Sequence, residues 1–107
     1  MATAQDVIDQ LNIIYASLDD MVLDGAGDPA QLAELAEKRD ATRAQIDDLI
    51  AKGVARTLAG VDDATKELND LRNRLKQTEG TVNRVRAAID IAAQVIAVAA
   101  ELVAKVV

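Results

Sequence analysis

Apolar residues at the start of the chain recur in steps of three and four: Ala4, Val7, Leu11, Ile14, Leu18 and Met21. Ile8, Tyr15 and Val22 widen this stripe on one side. The repeat is that of one helix face, and it predicts a helix over about residues 3–24 with a broad core side. Thr3 followed by Asp6 has the spacing of a capping pair. The stretch "DGAGDPAQ" then ends one helix and starts the next. Gly25 suits a left-handed stop. Asp28 is a good N-cap, Pro29 fits the first helical position, and Gln31 is placed to complete a capping box. The loop has neither the spacing of a phosphate-binding loop nor that of a calcium loop, so it reads as punctuation. Its brevity makes the first two helices antiparallel neighbours.

A second helix is predicted over about residues 29–52, with Leu32, Leu35, Ala36, Ile46, Leu49 and Ile50 as its apolar face. Its middle, "EKRDATR", is polar. Glu34–Lys38, Arg43–Asp47 and Asp48–Lys52 are spaced to pair across one turn. Gly53 is the expected stop.

Beyond Gly60 lies the longest pattern in the chain. Val61, Ala64, Leu68, Leu71, Leu75, Thr78, Val82, Val85, Ile89, Ala92, Ile96, Ala99, Val103 and Val106 follow in steps of three and four without a change of phase. Only Thr78 among them is polar. This pattern predicts a coiled-coil-like third helix over residues 61–107, about 70 Å long at 1.5 Å per residue. The expected fold is therefore all-α: an antiparallel hairpin plus a long third helix, in one domain spanning residues 1–107. "QTEGTVN" around Gly80 has loop composition, and a kink or break at 78–81 is the alternative. A break there gives an up-down four-helix bundle. The unshifted phase favours continuity, because a Gly on the outer face of a helix costs only about 1 kcal/mol.

From Ala88 a second apolar seam runs beside the first: Ala88, Ile91, Val95, Val98 and Leu102. The polar residues Asp90, Gln94, Glu101 and Lys105 fall on one narrow stripe. The nine Ile, Val and Leu residues after Ala87 represent on the order of 15–25 kcal/mol of burial, at about 1.5–3 kcal/mol each. Two earlier helices reach only the first half of a continuous third helix. The second half then needs another cover. Ile89, Ile91, Val95, Ile96, Val98, Leu102, Val103 and Val106 are accordingly the expected contact surface for a second copy or a helical partner. A plain membrane span fits poorly, because the longest uncharged run, residues 91–100, covers about 15 Å, half a bilayer core. Insertion on a trigger is the rival expectation.

Composition narrows the chemistry. The chain has 18 acidic and 12 basic residues, a formal charge of −6 and a single aromatic residue, Tyr15. It has no Cys and no His, so thiolate chemistry and the commonest general base and metal ligand are excluded. The pairs Asp19–Asp20, Asp47–Asp48 and Asp62–Asp63 are adjacent in sequence, and side chains about 100° apart on a helix do not converge on one ion. No enzyme activity, metal or cofactor is expected. Residues 1–53 carry 11 acidic and 4 basic side chains, and residues 54–107 carry 7 and 8. The bases concentrate at Arg72, Arg74, Lys76, Arg84 and Arg86. Scattered around a helix in an acidic chain with no aromatic platform, they argue against nucleic acid. Pairing with the acidic first two helices is the plain expectation. A collar for anionic lipid headgroups is the sharper one. The absence of a basic, apolar leader and of cysteine points to a cytoplasmic location, with export by a signal-less route as the alternative.

Overall fold

The structure, a computed structural model, describes residues 3–25, 27–52, 60–79 and 83–104. These form four helices: α1 (Ala4–Asp24), α2 (Pro29–Ala51), α3 (Val61–Gln77) and α4 (Arg84–Ala104). There is no strand among the described residues. The fold is all-α, a helical bundle about 40 Å long, close to the roughly 34 Å that the 23 residues of α2 span.

The helix ends follow local chemistry. Thr3 and Asp6 close the capping box of α1: the Thr3 N–H donates to the Asp6 carboxylate at 2.8 Å, and the Asp6 N–H to the Thr3 hydroxyl at 3.3 Å. Gly25 ends α1 at φ 68°, its N–H donating to the Met21 carbonyl. Asp28 caps α2 by accepting from the Ala30 N–H at 3.2 Å. Gln31 does not add the reciprocal bond of a box. Gly60 sits at the N-cap of α3 at φ 82°, with Asp62 and Asp63 in the first turn and Arg74 and Lys76 in the last. That charge order complements the helix dipole. Gly53, the expected stop of the second helix, lies outside the described residues.

The preferred long third helix is not what forms; the chain takes the four-helix alternative. α3 stops at Gln77, where the final turn tightens. The Thr78 N–H donates to the Leu75 carbonyl at 3.1 Å, and the Glu79 N–H to the Lys76 carbonyl at 3.2 Å. These are bonds across three residues, one shorter than the α-helical reach. The buried Thr78 hydroxyl also donates to the Leu75 carbonyl, at 2.6 Å. The one polar residue of the seam therefore marks the end of α3. Gly80 itself, with Val82, lies outside the described residues.

Packing shows why the reversal wins. α1 packs on α2 and α3, and α4 packs on the same two helices. α1 touches α4 only marginally across the diagonal, and α2 and α3 do not meet. The chain thus folds as two hairpins laid face to face, α1 over α3 and α2 over α4. α2 and α3, consecutive in sequence, stand at diagonal corners. Gly27, in the first loop, approaches the Val85 side chain at the start of α4, so both hairpin turns lie at one end.

The core is aliphatic. All six seam residues of α1 are buried, as are Val61, Ala64, Leu68, Leu71 and Leu75 of α3. α4 buries residues of both seams: Val85, Ile89, Ala92 and Ala99 from the first, Ala88, Ile91, Val95 and Leu102 from the second. α2 is the least apolar face. Its inward line runs Leu32, Leu35, Arg39, Thr42, Ile46 and Leu49, and Ile50 turns outward with 53% of its surface exposed. Thr42 is wholly buried and satisfies its hydroxyl on the Lys38 carbonyl at 2.9 Å.

Candidate functional site

The expected C-terminal contact surface is largely inside the molecule. Ile89, Ile91, Val95 and Leu102 are buried in the chain's own core. Ile96, Val98 and Val103 are half-buried, and Val106 lies outside the described residues. The premise that the second seam lacks an intramolecular cover fails, because α4 turns back and lies on α2 and α3. The outward side of α4 nevertheless keeps an apolar stripe beside the exposed Asp90, Gln94 and Glu101. Gln94, Val98 and Glu101 lie on the α3 side, where Gln94 bonds Arg74 and the other two line a hollow. Helical geometry turns residues 93, 96, 100 and 103 away from them. Ala93, Ala97 and Ala104 are exposed there, and Ile96, Ala100 and Val103 half-buried.

Of the five expected collar residues, the structure brings three together. Arg72, Lys76 and Arg84 line a groove between α1 and α3, a concavity of about 280 Å³ whose other walls include Ile13, Met21 and Leu75. Two of these bases come from the end of α3 and one from the start of α4. Arg72 donates to the Asn69 side chain at 2.8 Å. Arg84 is half-buried, with its Nε turned inward and no acceptor for it. Arg74 points to α4 instead, 3.4 Å from the Gln94 amide oxygen. Arg86 is exposed and is not part of the groove. The expected pairing of these bases with the acidic first two helices does not occur: none of the five forms an ion pair among the described residues.

The groove's α1 wall was not legible beforehand. Ile13, 45% exposed, fits neither the seam of α1 nor its widening toward Ile8 and Tyr15. That misfit is the only sequence signal for it. Ser17 and Asn73 complete the polar lining, and Glu79 is the single carboxylate there.

Other polar groups have structural roles. Arg39 occupies a seam position of α2 and bridges to Asp19 of α1 at 3.0 Å and to Asp40 at 3.1 Å. Its guanidinium is held above its ordinary pKa, first by the hydrogen bond to Asp40, against partial desolvation and with help from Asp19. Arg43 stacks over the Tyr15 ring at 5.8 Å and pairs with Asp47 at 3.4 Å, as the one-turn spacing predicts. Glu34–Lys38 and Asp48–Lys52 do not pair among the described residues; an exposed ion pair gains little against the entropy of two long side chains.

A second hollow of about 150 Å³ lies between the start of α3 and the end of α4. Asp63, Glu67 and Glu101 line it with Val98 and Leu102. No group of three carboxylates among the described residues is arranged to hold a metal ion. α4 is long and apolar enough to cross a membrane by length and composition, a test that the core helix of a soluble bundle also passes. No family model, curated protein or solved structure matches this chain.

Proposed function

We propose that this protein is a non-enzymatic helical module that works by association, with another copy of itself or with a helical partner chain. One observation carries the reading. Between Ala93 and Ala104, α4 exposes Ala93, Ala97 and Ala104 beside half-buried Ile96, Ala100 and Val103, with Gln94 and Glu101 as the exposed polar residues of that stretch, although the same helix has already buried two seams. An outer stripe of alanines flanked by Ile96 and Val103 lets a second helix approach closely, which suits helix-on-helix contact better than solvent. The C-terminal half remains the contact surface in this reading. The contact moves from the seams to the outer face.

Sedimentation tests it. The wild-type chain should show a mass above the 11.4 kDa of a monomer that rises with concentration. Ala97→Glu places a charge on the exposed stripe without entering the core. It should give a monomer with unchanged helical signal. A wild-type chain that stays monomeric at high concentration rules out self-association. A membrane-active role is the second reading, supported by the length and apolar character of α4. It expects Ala97→Glu to lose vesicle binding while the mass in solution stays unchanged.

A further inference from the structure

We propose that the groove between α1 and α3 is a binding site for a phosphate group, held by Arg72, Lys76 and Arg84 beside an apolar wall formed by Ile13, Met21 and Leu75. This site is separate from the outer stripe of α4 and does not depend on the association reading.

Three cations line the groove against one carboxylate, Glu79, so the cationic charge there is only partly compensated. The chain has 18 carboxylate side chains for 12 bases, so an unpaired cation is not forced by composition. Yet three cations converge on one concavity, and none of them forms an ion pair among the described residues. Like charges brought together repel, and an anion between them relieves that repulsion. Arg39 and Arg43, by contrast, reach carboxylates.

Donor geometry adds a second observation. The Arg84 Nε is shielded from solvent and has no acceptor. A buried donor without a partner is costly, and a shift of the Arg84 side chain toward a bound anion would satisfy it. Guanidinium groups present paired N–H donors that match phosphate oxygens side by side, and Lys76 adds a point charge at the exposed rim. Arg72 already spends one terminal nitrogen on Asn69, a neutral partner that orients the group without cancelling its charge. Ser17 and Asn73 supply further hydrogen-bonding groups.

The apolar wall shapes the ligand class. Ile13 is 45% exposed directly beside the cations. A phosphoester with an apolar substituent covers both surfaces, whereas inorganic phosphate covers only one. Such a group comes either from a soluble organic phosphate or from a phospholipid headgroup.

Amide and arginine Nε–H chemical shifts, followed during titration with octyl phosphate and separately with inorganic phosphate, test the site. Saturable shifts are expected at Arg72, Lys76, Arg84 and Ile13, with octyl phosphate binding more tightly than inorganic phosphate. Lys76→Gln, at an exposed position, and Arg84→Gln should each weaken binding roughly tenfold, the loss of one charge-assisted contact. Co-sedimentation with phosphatidylglycerol and with phosphatidylcholine vesicles separates the sources. Binding to the anionic vesicles alone, lost in both variants, assigns a lipid headgroup. Octyl phosphate binding without vesicle binding assigns a soluble phosphoester. Absence of shifts with both ligands, or shifts spread equally over Arg39, Arg43 and Lys52, overturns the proposal. So does undiminished binding in Lys76→Gln, whose helical signal checks that it folds.

Discussion

At the scale of single residues, the first loop shows how much local chemistry decides. Asp28 caps α2 through the Ala30 N–H. Removing that acceptor in Asp28→Ala should cost about 0.5–2 kcal/mol in urea unfolding, with no change in association. Gly27 carries a different constraint. Its φ of 132° lies where L side chains rarely go, and an added Cβ meets the Val85 side chain at 3.3 Å. Gly27→Ala should therefore destabilise more than a cap loss of about 1 kcal/mol, because strain and a tight contact act together. Equal midpoints for the two variants would show that the loop can yield. The cap was legible in the sequence because capping depends on neighbours two or three residues away. The Gly27–Val85 approach was not, because it joins residues 58 positions apart.

At the scale of elements, α4 contains two kinds of apolar position that sequence spacing does not separate. Val95 belongs to the second seam and is fully buried. Ala97 lies two positions on and is exposed. Val95→Asp buries an unpaired charge, a change that costs about 4 kcal/mol or more and should unfold the chain. Ala97→Glu should leave the fold intact. Helical signal during thermal melting distinguishes them, and a Val95→Asp chain that dissociates while staying helical would restore the intermolecular seam. α2 gives the opposite lesson. Its weak amphipathic pattern, with Arg39 and Thr42 on the inward line, still forms a packed helix. Both polar groups find partners, Asp40 and, across to α1, Asp19 for one and the Lys38 carbonyl for the other.

At the scale of the whole molecule, the four helices share one contiguous cluster that runs from Val7 to Leu102. No hairpin has a core of its own. Urea unfolding should therefore be a single transition, with far-ultraviolet circular dichroism and Tyr15 fluorescence coinciding. Tyr15 packs partly buried against this cluster in α1, so it reports on the first hairpin alone. An earlier loss of Tyr15 signal would mean that the first hairpin opens before the rest of the bundle unfolds. α1 packs on α3 and α2 packs on α4, so both helices of the first hairpin contact the second, which ties the halves together.

The sequence by itself determined that this protein is helical, where the first hairpin turns, and which residues of α1 and α3 face inward. Each depends on short-range periodicity and capping, which the backbone obeys wherever the chain later goes. Only the tertiary structure decided that the long heptad pattern is two helices. Each of two helices that face one core carries its own seam, and the residues between them hold no helical register, so an unshifted count does not show that the helix continues. Tertiary packing also decided that both seams of α4 are covered within the chain and which bases share a groove. Arg72, Lys76 and Arg84 meet beside Ile13 because α1 lies over α3, and Arg74, two residues and about 200° from both Arg72 and Lys76, is carried to the other side. Such neighbours are fixed by how elements stack, a property of distant contacts that no local spacing encodes.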